Sequence, residues 1–301
     1  MKEIRRLGRS IYDMENPREQ RRYVIFCARA LLHRRGMKDL YGWFKADPLR
    51  RMIIEESPFP MEQVTRAFFY KGSTFASRAE LIKAHFSFLQ EHVKDEYLLK
   101  LGSVLQPGYV VWEGEFEGQD LQALLIFEDG QRKEGLLSLE LNLGEEHVYQ
   151  LIFWLAKDKE GHDSLYIGAL QGPNMEEARE LIKRMTKAFH GYRTKNLILY
   201  MLQAVARSMG IEKIYGVTNE GYYAMNHVRA NRKLKTNFSD FWLEAGGNRT
   251  DDVRFDSLPL TETRKTMEEV PTRKRAVYRK RFALLDEIDA NIAEAMAGLL
   301  K

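Results

Sequence analysis

Residues 110–156 read VVWEGEF-EGQD-LQALLIFE-DGQRKEG-LLSLELNL-GEEH-VYQLIFWLA. Four runs rich in aliphatic and aromatic side chains, 110–116, 121–128, 136–143 and 148–156, are divided by the turn signals Glu117-Gly118, Asp129-Gly130 and Leu143-Gly144. Short strands separated by Gly-containing turns at regular spacing predict an antiparallel meander. Immediately after it the pattern changes to a strand over 164–170, a helix over 175–190, a second, very apolar helix over 196–209 and a strand over 214–218. Gly210 stands where a left-handed helix cap belongs, so the chain turns back to the sheet at Ile211. The antiparallel sheet therefore runs into an α/β unit.

Upstream of Gln106-Pro107-Gly108 the pattern is helical. Residues 19–33 space their apolar side chains for a helix that Arg34-Arg35-Gly36 closes with cations and a glycine stop. Ser57-Pro58-Phe59-Pro60 breaks the next stretch, and 77–93 forms a further helix with Leu81, Ile82, His85, Phe86, Phe88 and Leu89 on its apolar face. At the other end, Leu284, Leu285, Ile288, Ile292, Met296 and Leu299 form one stripe of a helix over 274–300 that needs a surface to dock on. The fold class is α+β: a helical N-terminal subdomain (1–105), a central mixed, largely antiparallel core with flanking helices (106–250), and a basic C-terminal extension and helix (251–301).

With 301 residues, 44% hydrophobic and 11% aromatic, the chain has the apolar area for a sizeable core, which excludes a disordered tail or a disulfide miniprotein. No run of 18 apolar residues occurs, so no membrane span is expected, and no apolar signal core follows the basic N-terminus. The single cysteine, Cys27, cannot form an internal disulfide and fits a reducing compartment; a cytoplasmic location is expected. The net charge of +4 is too small to imply nucleic-acid binding by itself. HExxH, CxxC and GxSxG are all absent, so neither a catalytic metal nor a hydrolase elbow is expected.

The densest candidate site is His190-Gly191-Tyr192-Arg193-Thr194-Lys195-Asn196, directly before the apolar helix. A glycine that lets the backbone approach, free amides at a helix start and two cations make an anion cradle suited to a pyrophosphate, although an interhelical turn with solvated cations has the same composition. His190 borders the cradle and is the candidate acid/base, while a histidine at a helix C-terminus is also favourable with the dipole alone. Gln171 ends a buried strand; Asn219 follows another and precedes Tyr222 and Tyr223; Asp240 and Trp242 could supply a base and a pocket wall, or an aromatic pair anchoring a final strand. Six cations lie within Arg273–Arg281, either a solvated helix face or a surface for an anionic partner such as a lipid head group or RNA.

Ile167-Gly-Ala-Leu-Gln-Gly172, Thr186 through Lys195, Gly216-Val217, Asp240-Phe-Trp242 with Glu244–Gly247, and the Lys274–Arg281 run together resemble the VirK/YbjX family of bacterial proteins. That resemblance covers about 65–300 and implies an association with virulence, outer-membrane integrity and resistance to antimicrobial peptides, without a settled reaction.

The order of antiparallel strands, strand 164–170, cradle, helix 196–209, strand 214–218, Asn219 and a helix over 222–229 also resembles the GNAT superfamily of acyl-CoA N-acyltransferases. It departs in lacking the second loop glycine and in inserting the helix 175–189. The GNAT resemblance implies an acyl- or aminoacyl-transferase acting on a small-molecule or peptide amine. Gly191, Tyr192, Arg193, Lys195, Asn196 and Asn219 would hold acyl-CoA; His190, Tyr222 and Asp240 would be catalytic; Gln171, Tyr223 and Trp242 would bind substrate. The other expectation is a non-catalytic binding or regulatory protein of the cell envelope response that uses the basic surface.

Overall fold

A computed structural model describes residues 2–225 and 237–301. The N-terminal third holds α1 (Lys2–Ile11), α2 (Pro17–Leu32), α3 (Arg34–Lys45), α4 (Pro48–Glu56), α5 (Phe59–Gln63), α6 (Phe75–His92) and α7 (Asp95–Gly102). Asn16 and Asp47 cap α2 and α4 through their side-chain oxygens, each followed by a proline whose missing N–H is not needed in a first turn. Thr74 and Ser77 cap α6 reciprocally. The helix expected over 19–33 ends where expected, α2 stopping at Leu32 with His33 as its cap, but Arg34-Arg35-Gly36 does not terminate it: α3 begins at Arg34. Gly36 lies inside α3, where the Phe75 ring fills the space a Cβ would need; its role is packing, not termination.

The sheet comprises β1 (Tyr109–Phe116), β2 (Gln119–Ile126), β3 (Leu137–Leu143), β4 (Glu146–Lys157), β5 (Asp163–Gln171), β6 (Lys213–Val217), β7 (Asn248–Arg249) and β8 (Phe255–Leu258), with α8 (Ala178–Ala188), α9 (Thr194–Ser208), α10 (Phe238–Glu244) and α11 (Arg275–Leu299) around it. Strand order is β1-β2-β3-β4-β5-β6-β8-β7. Every pairing is antiparallel except β5 with β6, the step that α8 and α9 bridge, as a parallel connection requires. That pairing ends at Ile167↔Gly216 while β5 continues to Gln171. Opposite β4 the register shifts: Phe153 faces Ile167 and Ile152 faces Ala169, which leaves Gly168 as an extra, bulged residue.

Alternation along the strands sorts the core into two layers. Trp154, Tyr166 and Tyr215 face α6, whereas Leu155, Leu165, Ile167 and Ile214 turn to the other face and are buried. There α9 is buried along its whole middle, residues 197–206, between the sheet and α11. On α11, Leu285, Ile288, Ile292, Met296 and Leu299 are buried and Leu284 packs at the edge, so the expected stripe docks on the chain's own body.

Two readings of the sequence differ from the structure. Asp240-Phe241-Trp242 belongs to α10, not to a final strand. The last strands come later, and β8 joins the sheet beside β6, so the 250/251 boundary falls inside the β7–β8 hairpin. A four-residue strand, FDSL, gives too little alternation to stand out. In the helix expected over 222–229, Tyr222 instead forms an isolated bridge with Tyr70, and 226–229 lie outside the described residues.

Candidate functional site

The segment joining β2 to β3 lies over the α6 face of the sheet. Gln63 Nε2 donates to the carbonyls of Arg132 and Gly135, both at 2.9 Å; Phe69 N donates to Lys133 O at 2.8 Å, and Leu136 N to Phe153 O at 2.9 Å. Arg132 is fixed in turn by Glu62, 2.7 Å from its Nε, and Glu62 also accepts from the Tyr12 hydroxyl at 2.8 Å. Beneath the segment sits the bulged Gly168, and a Cβ there would fall on the carbonyl oxygen of Glu134. The bulge and the glycine together bring the Glu134 backbone down onto β5.

Glu134 is 4% exposed. Its Oε1 accepts from the Tyr222 hydroxyl at 3.0 Å, and its Oε2 has no hydrogen-bond partner among the described residues. Burial pushes the carboxyl up to about 7, against the opposing pull of the Tyr222 hydroxyl, Lys133 and the Tyr223 hydroxyl. Burial and the Glu134 charge push the Tyr222 phenol far above its ordinary range, so it stays protonated. Tyr223 lies edge-on to Tyr222 at 4.9 Å and to Phe68 at 5.9 Å. A titratable carboxyl and a firmly protonated phenol thus meet beside the ends of β5 and β6.

A cleft of about 1080 Å³ opens on the same face, between α6 and strands β4, β5, β6 and β8. Its floor is a row of near-parallel rings, Trp154 to Tyr166 at 5.4 Å and Tyr166 to Tyr215 at 5.0 Å. Tyr70 continues the row at 6.2 Å from Trp154, and Arg254 covers the Tyr70 ring at 4.8 Å. Because Tyr70 both lines the cleft and bridges to Tyr222, the cleft ends one residue from the Glu134–Tyr222 pair. Seven carboxylates line it against five lysines and arginines, which makes it acidic.

At the far rim, Asp158, Glu160 and His162 place their ligating atoms within 4.8 Å of one another. Asp158 already accepts from the backbone amides of Glu160 (2.8 Å) and His162 (3.0 Å) and from the Tyr215 hydroxyl (3.0 Å). The group works as the clamp of the β4–β5 turn.

The residues singled out in the sequence fall into two groups. Tyr222, Tyr223 and Asn219 lie beside Glu134 or at the start of α10; Asn219 accepts from Phe238 N at 2.8 Å and donates to Asn237 at 2.6 Å. Asp240, exposed in the first turn of α10, bonds with Asn237. Trp242 is fully buried over Gly216 and donates to Val217 O at 2.8 Å, a core role. Gln171 is exposed at the end of β5.

The second group surrounds the start of α9. Arg193 and Lys195 reach Glu244 at 3.3 and 3.7 Å, and Arg281 of α11 donates to the carbonyl of His190, whose φ is +53°. Tyr192 and Asn196 line a hollow of about 160 Å³ that Glu244 and Glu262 also line. Seven residues of α10, about 10 Å of helix, separate the two groups. Of the six cations in Arg273–Arg281, Arg275 and Arg281 bind backbone carbonyls.

Glu134 was not among the sequence candidates. The signal available was length: the connection carrying it, residues 127–136, is longer than the neighbouring two-residue turns 117–118 and 144–145.

A family described as a protein of unknown function, DUF535, matches residues 15–294. This chain belongs to the DUF535 family. Uncharacterized protein YbjX of Escherichia coli K12 is 26% identical over 266 residues, 87% of this chain and 78% of that protein, in keeping with the VirK/YbjX resemblance. An uncharacterized protein of Haemophilus influenzae is 30% identical over 180 residues, 60% of this chain and 59% of its own length, so the match spans less than two thirds of that relative. A Mannheimia haemolytica protein named membrane protein LapB is 24% identical over 194 residues, 63% of this chain and 79% of that one. The DUF535 match takes in Glu134, Tyr222 and the whole aromatic cleft. Among the described residues, no helix of this DUF535 protein is long and apolar enough to cross a membrane.

Proposed function

We propose that the protein is an N-acyltransferase with a GNAT-like core, moving an acyl group from acyl-CoA to an amine. The observation that carries this reading is the Glu134–Tyr222 pair, 3.0 Å apart, at the carboxyl ends of the one parallel strand pair among the described strands. Ligands of α/β sheets collect at such ends. The sheet supports the GNAT-like core: an antiparallel meander, one parallel step bridged by helices, and a strand pair added beyond it.

With a carboxyl near 7, Glu134 takes a proton from the acceptor ammonium and passes it to solvent, freeing the lone pair that attacks the thioester carbonyl. As the C–S bond breaks, a second proton leaves the nitrogen and reaches the sulfur through the Tyr222 hydroxyl, giving an amide and free CoA thiol. The acidic cleft beside the pair suits an ammonium-bearing acceptor. Gly191, Arg193, Lys195 and the first amides of α9 are the donor-phosphate candidates, and the donor would take over the cations that Glu244 now pairs.

Isothermal titration with acetyl-CoA, longer acyl-CoAs and CoA tests the donor. Binding that weakens by roughly ten-fold or more in Arg193→Ala fits the loss of a charge-assisted contact. Absence of binding to all three at millimolar ligand rejects a CoA donor.

A further inference from the structure

We infer that the outward face of α2 is a docking surface for an anionic phospholipid bilayer. A helix of this fold should turn its apolar side inward, and α2 does so with Phe26 and Ala30. It also carries a second apolar stripe that nothing among the described residues covers: Val24 is 63% exposed, Leu32 81%, Leu31 40% and Ile25 36%. At 100° per residue, Leu31, Val24, Ala28, Leu32 and Ile25 fall within about 120° of the helix circumference, so they form one band. Contiguous exposed apolar area of this kind on a soluble body marks an interaction surface.

Charge selects the occupant. Arg21 projects within the band, and Arg18, Arg22 and Arg29 follow along its edge. Arg22 pairs with Glu19, whereas Arg18, Arg21, Arg29, Arg34 and Arg35 form no ion pair among the described residues. Residues 2–36 hold ten lysines and arginines against four acids, a surplus of six in a chain whose whole charge is only +4. Beside Leu32 a hollow of about 400 Å³ is lined by His33, Arg34, Arg35, Gly36 and Phe75, a setting for a lipid phosphate next to an apolar anchor. An apolar band interleaved with unpaired arginines matches an acyl boundary beneath anionic head groups, and α2 would lie in the plane of that interface.

The test is co-sedimentation of the full chain with vesicles of phosphatidylcholine containing a quarter phosphatidylglycerol, and with pure phosphatidylcholine. The expected result is binding to the anionic vesicles that is at least roughly ten-fold weaker on the neutral ones, that falls as salt rises, and that is lost in both Val24→Glu/Leu32→Glu and Arg18→Glu/Arg21→Glu/Arg29→Glu. These positions are exposed, so circular dichroism and melting should stay as in the parent. No binding to the anionic vesicles overturns the inference, and so does binding that survives the Val24→Glu/Leu32→Glu change. A concentration-dependent dimer that dissociates in Val24→Glu/Leu32→Glu, without vesicle binding by the parent, would assign the band to a second copy of the chain instead.

Discussion

The hydroxyl of Tyr222 donates to Oε1 of Glu134 at 3.0 Å, joining the exit of β6 to the loop before β3 across 88 positions of sequence. Tyr222→Phe keeps the ring and removes the hydroxyl that donates to Oε1. The expected cost is about 1–3 kcal/mol of stability, that of a buried acceptor left without its partner, together with loss of acyl transfer. Urea denaturation and CoA-thiol release on the same preparation measure the two effects.

Glu134 also sets a pH dependence with a definite sign. Its folded value of about 7 lies above the ordinary 4.5, so the folded state holds a proton that the unfolded chain releases between them. Stability from this group is full below about pH 4.5 and falls as pH rises through 7, by about 3 kcal/mol in all. Relative to the parent, Glu134→Gln should gain about that much on going from near pH 5 to near pH 8, read from urea midpoints. A difference that does not change with pH would mean the carboxyl is already ionised in the fold.

At Gly168 the bulge and the Glu134 carbonyl touch, so Gly168→Ala must push the loop off β5. The change adds a single methyl, yet should cost about 1–3 kcal/mol and displace the carboxyl from Tyr222. The reporter is the pH profile of transfer: its midpoint near 7 should fall toward that of an ordinary carboxylate as Glu134 becomes solvated.

Docking of α11 is tested by contrast along one helix. Ile292 is fully buried, and Ile292→Ala should cost about 2–5 kcal/mol. Val277, at 44% exposure in the first turn of α11, should tolerate alanine within about 0.5 kcal/mol. Equal effects would show that the C-terminal helix does not carry the core.

Wherever local pattern and burial agree, the sequence is readable. The meander, α9 and the stripe on α11 all announce themselves through apolar spacing, because each is buried along a face that repeats with its own period. Gly36 misleads because a glycine needed for the close approach of Phe75 looks the same as one that ends a helix. Glu134 is invisible for a different reason. Its burial is produced by the β5 bulge, by Gln63 and by Glu62 acting through the neighbouring Arg132; the bulge, Gln63 and Glu62 are remote in sequence, and nothing in Gln-Arg-Lys-Glu-Gly distinguishes it from a solvated turn. Tyr222 could be named from its place after a strand, but its partner could not.

The most direct measurement of acyl transfer by the proposed Glu134–Tyr222 pair is CoA-thiol release from acetyl-CoA and longer acyl-CoAs, with a polyamine or a lysine-rich peptide as acceptor, in the parent and in Glu134→Gln. The expected result is amine-dependent release that rises with pH through about 7 and drops about 100- to 10,000-fold in the variant, while calorimetric CoA binding is unchanged. Acyl-CoA binding with no amine-dependent release, or release that is equal in parent and variant, would contradict acyl transfer by this pair.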